Sequence, residues 1–241
     1  MALFNRPVNR YINQKAMIKE RLCYLTRKEP RLKKGAHKAV FEQEKLHQII
    51  DESLIAHIAL QGEHGPMVIP MLAWRVDDKV YIHGAKNSRL LKGLKKGEPT
   101  CLTFTLFDGW VLARSAFHHS AHYRSAVVLG SFSVIEDNQE KDRLLNIFIE
   151  QIAPGRTDEV RLSNEKELTA TELLAIPLTE ASVKIGKHGV NDDKADMDIP
   201  VWAGVLPYRT VVGPLETVPE QEGIIETPDY QQAYGERWYQ N

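Results

Sequence analysis

The residues best equipped for chemistry lie in two stretches of the 241-residue chain. In "YIHGAKNSRLLKG", residues 81–93, a strand ending in His83 and Gly84 gives way to Asn87-Ser88-Arg89 at the mouth of a basic helix. The first backbone N–H groups of a helix are unpaired and sit at the positive end of its dipole. A Ser hydroxyl followed by an Arg fork there makes a small phosphate seat, to which Lys86 and Lys92 add positive field. The same spacing also describes an ordinary capped surface helix. His83 suits two roles, a proton-transfer group or a hydrogen-bonded strand end, because an imidazole titrates near neutral pH. In the second stretch, "FHHSAHYRS", residues 117–125, three histidines (His118, His119, His122) precede Tyr123, Arg124 and Ser125. They invite a metal reading, but no carboxylate or cysteine accompanies them, so no metal is expected. If the chain carried haem, His118 or His119 would be the candidate ligand.

The elements that must position these groups read mostly as strands. Leu46, Ile49, Ile50 and Leu54 recur at helical spacing, which predicts an amphipathic helix over 42–53. Strands are expected over 54–60, over 67–76 with Pro70 inside it, and over 79–83 after a tight Asp77-Asp78 turn. Val68 and Ile69 alternate as a core strand would. A helix over 87–97 stops at Gly97 and Pro99, and "TCLTFTL" then alternates as a strand that carries Thr103. Asp108-Gly109 is a hairpin signal that should turn "WVLAR" back beside it. The strand "AVVLGSFSVIE" follows, then a helix over 138–152 with Leu145, Phe148, Ile149 and Ile152 on one face. One long strand over 173–186 closes the pattern. Six or seven strands with hairpin-like links and only three helices predict a mainly β fold, an antiparallel barrel with peripheral helices. A doubly wound sheet would need a helix after nearly every strand. In the tail, Trp202 reads as a buried aromatic anchor.

Composition bounds the function classes. An apolar content of 43% can fill a real core, and a net charge of −1 gives the whole molecule no preference for polyanions. The average hides an asymmetry. Residues 1–38 carry eleven Lys and Arg against Glu20 and Glu29, a net +9, which leaves −10 for the rest. The organisation expected is a basic arm over 1–38, a central domain over 39–210 and a tail over 211–241. The arm fits an acidic patch of its own fold or of a partner subunit better than nucleic acid, since charge runs are suggestive and not specific. Two cysteines without metal-like spacing argue against a disulfide framework. With neither a secretory apolar core nor a membrane-length apolar stretch, the expected setting is cytoplasmic.

Across residues 40–207, "MVIPM", "VYIHGAKNSR", "DGWVLARSAFHHSAHYRSAVVLG", "ELTAT" and "PVWAGVLP" resemble the flavin-nucleotide-binding split-barrel family related to pyridoxamine-phosphate oxidase, in particular its nitroimidazole-resistance branch. The resemblance implies a homodimeric FMN-binding split β-barrel with the flavin at the interface; FAD is the alternative nucleotide. By resemblance, Val68, Ile69 and Pro70 face the isoalloxazine, His83 and Gly84 border it, and Ser88 and Arg89 hold the phosphate. Thr103 lies near the ribityl chain, Tyr123, Arg124 and Ser125 contact the flavin, and Trp202 reaches the site from the neighbouring chain. His83 is then the catalytic candidate. The implied function is an oxidoreductase passing electrons from a reduced nicotinamide to a small acceptor. Pyridoxamine-phosphate oxidation proper is not implied, because Leu90 stands where those oxidases commonly have Lys after Ser-Arg, and no Arg-x-His pair occurs near the end. The competing readings are a flavin-binding regulator with a nucleic-acid-contacting arm, and a haem-binding split barrel.

Overall fold

A computed structural model describes residues 36–62 and 64–230, with side chains from Gln43 onward. The arm before residue 36 and the last eleven residues lie outside the described residues, and Cys23 with them. Contacts divide the chain after Val40, so nearly all that follows concerns the unit from Phe41 onward.

Helix α1 (Ala36–Ser53) leads into β1 (Ile55–Gly62) and β2 (Gly65–Leu72), which pair antiparallel. The stretch expected as one strand over 67–76 is two. It breaks at Ala73, and β3 (Trp74–Val76) pairs instead with β4 (Lys79–Ala85) across the Asp77 turn, in a second sheet. Ala73 is buried and its N–H donates to the Leu54 carbonyl, which pins the crossing point between the sheets. After β4 comes the short α2 (Arg89–Leu94), whose Leu90, Leu91 and Leu94 all enter the core. Gly84 is needed for this packing, since a Cβ there would meet Leu91 Cδ1 at 3.0 Å.

The hairpin expected at Asp108-Gly109 does not form. Strand β5 (Thr100–Leu112) runs straight through and pairs with β6 (Ser120–Gly130), with a bulge between Phe107 and Gly109. A tight two-residue hairpin of the Asp-Gly kind needs positive φ at both central residues, but only Gly109 (φ 152) has it. The glycine answers a different demand: a Cβ there would fall 2.6 Å from the Leu206 carbonyl oxygen, because β10 (Gly204–Pro207) lies against this part of β5. The strand expected over 126–136 is two as well: β6 ends at Gly130 in the first sheet, and β7 (Ser133–Val134) joins the second. Then α3 (Asn138–Ile152) begins on the Asp137 cap, whose carboxylate accepts from the Glu140 N–H at 2.7 Å. Two short helices absent from the expectation, α4 (Arg156–Glu159) and α5 (Glu165–Ala170), precede β8 (Thr171–Pro177). The long strand expected over 173–186 is also two: β8 belongs to the second sheet and β9 (Glu180–Gly186) to the first.

The result is an antiparallel barrel split into a six-stranded sheet, β2-β1-β5-β6-β9 with β10 beside β5, and a four-stranded sheet, β3-β4-β8-β7. One core fills it. Ile58, Leu102, Phe104, Ala126 and Val128 of the first sheet meet Val80, Ile82, Leu174 and Ile176 of the second, with α1 (Leu46, Ile49, Ile50) and α2 covering the gaps. A smaller cluster, Trp74, Tyr81, Leu173 and Ala175, lies on the other face of the four-stranded sheet under Leu144, Leu145 and Phe148 of α3. No described helix is long and apolar enough to cross a membrane.

Candidate functional site

Register decides which sequence-selected residues meet. In a strand alternate side chains leave by opposite faces. Those of Ile58, Leu102, Phe104, Ala126 and Val128 fill the barrel, so their neighbours point outward. Pro70, His57, Thr103, Val127 and Ser182 therefore form one row across the outer face of the six-stranded sheet. Val68, Ala59, Cys101, Leu129 and Glu180 form the row on one side of it. Thr105, Ser125 and Lys184, then Phe107, Tyr123 and Gly186, form the rows on the other. Five of the selected residues, Val68, Pro70, Thr103, Tyr123 and Ser125, thus share one face.

Among the described residues that face is open. Val68, which periodicity alone would place in the core and the resemblance places on the flavin, is 61% exposed, and Leu129 and Phe107 are exposed on the same face. Strand β2 is the edge of its sheet, which frees the outward backbone groups of Val68 and Pro70's neighbours for a ligand. The Tyr123 ring lies along the sheet across Gly186, where a Cβ would come within 2.8 Å of it, and Lys184 Nζ stands 5.6 Å from its centroid. Ile69 points the other way and packs against the barrel core.

Arg124 also leaves the face. Its guanidinium donates from Nε and Nη2 to Asp108, both at 2.9 Å, and from Nη1 to Glu52 of α1 at 2.5 Å. Glu52 is 4% exposed, so Arg124 serves to hold a buried carboxylate at the barrel wall. Those bonds, to Asp108 foremost, raise its pKa above the ordinary arginine value against the opposing effect of burial. Three of its five N–H donors are thus committed inside the protein.

His83 lies on the other sheet. It alternates with Ile82, faces α3, and stands edge-on to Trp74 (5.5 Å) and Phe148 (5.4 Å). Burial there pushes its pKa below 6.5, and its Nδ1 is buried without a hydrogen-bond partner. Trp74 Nε1 is buried and unpartnered in the same cluster. The barrel core separates this face from the open one.

Ser88 caps α2, its Oγ accepting from the Leu91 N–H at 3.5 Å, and Arg89 is exposed with no ion pair among the described residues. Leu90 is 8% exposed and belongs to the barrel core. Trp202 is 65% exposed and not the buried anchor expected; its ring lies over Gly204 at the start of β10. Sequence reasoning missed His57, which the register sets between Pro70 and Thr103. Its place in the alternation of "LIAHIAL" was the available signal. It also missed a grouping around His118: Asp193 and Asp196, distant in sequence, bring carboxylate oxygens within 4.8 Å of an imidazole nitrogen and of each other.

A family model described as pyridoxamine 5'-phosphate oxidase matches residues 42–185. Among solved structures, the flavocytochrome Anf3 of Azotobacter vinelandii is 34% identical over 80% of this chain and 90% of that one, with a TM-score of 0.75. A FAD- and haem-binding protein of Mycobacterium smegmatis is 34% identical over 79% and 94%, also with a TM-score of 0.75. A structure described as a 5-nitroimidazole antibiotic resistance protein of Bacteroides thetaiotaomicron is 20% identical over 58% and 82%, TM-score 0.50, and shows the fold alone. No protein of curated function matches.

Proposed function

The chain belongs to the pyridoxamine 5'-phosphate oxidase family, and on that premise we propose that it is a flavin-binding redox protein. The nucleotide rests on the outer face of the six-stranded sheet, and a second copy of the chain closes over it. The observation that carries this reading is the convergence of Val68, Pro70, Thr103, Tyr123 and Ser125 on one open face. A flat apolar surface with hydroxyls and an unpaired strand edge fits an isoalloxazine and its ribityl chain. Val68 and Pro70 present the flat surface, and Thr103 and Ser125 orient polar groups. Arg89, with the Ser88 cap and Lys86, supplies charge for the phosphate. Trp202 of the second copy shields the site from water. Bound there, the flavin supplies hydride and electron transfer, which no side chain of the chain can supply. The electrons pass from a reduced nicotinamide to a small acceptor.

His83 plays no direct part in this reading, because it lies on the other sheet, its ring set edge-on against Trp74 and Phe148. The basic arm is assigned to the acidic remainder of the molecule or of its partner.

An absorption spectrum of the purified protein, followed by heat release and identification of the nucleotide, tests the proposal and separates FMN from FAD. Flavin bands and NADH- or NADPH-dependent bleaching are expected. A colourless protein that takes up neither nucleotide would sink it.

A second reading adds haem beside the flavin. His119 is exposed, and its Nδ1 lies 2.9 Å from the Ser115 carbonyl oxygen, which fixes the tautomer that leaves Nε2 free as a ligand. Phe117, two residues earlier, is 89% exposed and offers an apolar face. Two relatives 34% identical are described as a flavocytochrome and as FAD- and haem-binding. A Soret band lost in His119→Ala supports this reading, and its absence after haem reconstitution of the wild type removes it.

A further inference from the structure

Outside the open face, the one convergence of metal-ligating groups among the described residues is His118, Asp193 and Asp196. His118 belongs to the short helical turn Ala116–His118 that links β5 to β6. Asp193 precedes and Asp196 ends the turn Lys194–Asp196, after β9, and the Asp196 N–H donates to the Asp193 carbonyl at 3.0 Å. That turn sets the two carboxylates three residues apart on one side. One imidazole nitrogen and one oxygen from each carboxylate all lie within 4.8 Å of one another.

Three features distinguish the grouping from a chance surface cluster. Neither carboxylate makes an ion pair with a cation among the described residues, so both oxygens stand close to each other without one. The one arginine nearby, Arg114, is already engaged by Asp192, which accepts from its backbone N–H at 2.8 Å and from Nη1 at 2.7 Å. Finally, His118 Nδ1 is 3.0 Å from the Ser115 hydroxyl, so an outer-shell partner orients the ring and leaves Nε2 as the nitrogen without a hydrogen bond.

We infer that His118, Asp193 and Asp196 form a binding site for a divalent transition cation. One imidazole and two carboxylates suit zinc or manganese better than calcium or magnesium, which favour all-oxygen sets. With three protein ligands, water completes the coordination. The site is a clamp. It ties the β5–β6 link to residues 187–203, the segment that carries Trp202 and delivers β10 to its place beside β5. The Arg114–Asp192 ion pair, the contact of His122 Nε2 with the His188 carbonyl oxygen at 2.6 Å and that of Ser120 Oγ with His188 Nε2 at 3.3 Å already hold that segment, and the cation adds a further tie.

Calorimetric titration of the full-length, chelator-treated protein with zinc chloride tests the inference, read together with the thermal midpoint. One zinc per chain and a midpoint that rises with zinc concentration are expected. His118→Ala and Asp196→Asn should each abolish or weaken binding at least tenfold, and Ser115→Ala should weaken it about tenfold. His188→Gln removes a neighbouring imidazole outside the site and should leave binding unchanged. No zinc uptake by the wild type, or equal uptake by His118→Ala, Asp196→Asn and wild type, would overturn the inference. Flavin content is a separate readout in every variant, so failure of the clamp is distinguishable from failure of the flavin reading.

Discussion

The two sheets of the barrel have outer faces of similar make-up and opposite fates. On the four-stranded sheet, Trp74, Tyr81, Leu173 and Ala175 are sealed beneath Leu144, Leu145 and Phe148 of α3, and His83 is enclosed with them. On the six-stranded sheet, Val68, Leu129 and Phe107 remain exposed in rows with Thr103, Tyr123 and Ser125. The chain covers one face with α3 and, among the described residues, leaves the other open. An apolar sheet face left in water forgoes roughly 25 cal/mol for each Å² that could be buried, so an extended open one marks a binding surface.

The largest effect should come from stripping the covered face. Trp74→Ala is expected to cost about 3–5 kcal/mol in chemical denaturation, the range for deleting a buried aromatic, whereas Val68→Ala should change the stability of the flavin-free protein by less than about 0.5 kcal/mol. Equal costs would abolish the distinction between the faces. Next, Arg124→Ala takes the guanidinium away from buried Glu52 and should cost about 3 kcal/mol of stability. Should it instead leave stability intact and release flavin, Arg124 would belong to the open face after all.

Smaller again, Arg89→Ala should weaken flavin nucleotide binding by about 1.5–3 kcal/mol with the melting temperature of the flavin-free protein unchanged. Equilibrium dialysis measures it, and an unaltered affinity would discard Arg89 as a phosphate partner. The smallest effect concerns pH. Burial holds the His83 pKa below 6.5, so near pH 6 the unfolded chain binds a proton that the folded protein does not. Its contribution is full above about pH 6.5 and is lost as pH falls through the folded value. Wild-type stability should therefore decline more steeply than that of His83→Phe between pH 7 and 5. Parallel pH profiles would show that the imidazole titrates freely.

Much of the fold was legible. The helix over 138–152 matches α3, Leu46, Ile49 and Ile50 face the core, and alternation identified the strand that carries Thr103, whereas the strand expected from Ala126 already begins at Ser120. The candidate site was legible in part: Val68, Pro70, Thr103, Tyr123 and Ser125 do share a face, but Arg124 and His83 do not join them. Three long strands were misread as single because nothing local signals a change of sheet at Ala73, between β6 and β7, or between β8 and β9. Asp108-Gly109 misled for a related reason, since its glycine makes room for β10 almost a hundred residues later.

By itself the sequence determined the mainly β character, the positions of most elements and which residues alternate together. Those follow from local periodicity and turn chemistry, which act over a few residues. Only the tertiary structure decided which of two equivalent strand faces would be covered, where the chain crosses between sheets, and that His118 meets Asp193 and Asp196. A strand's two-residue period sorts side chains into two sets and is symmetric between them. The choice between covered and open is made by what packs there, and that is a matter of contacts between residues far apart in the chain.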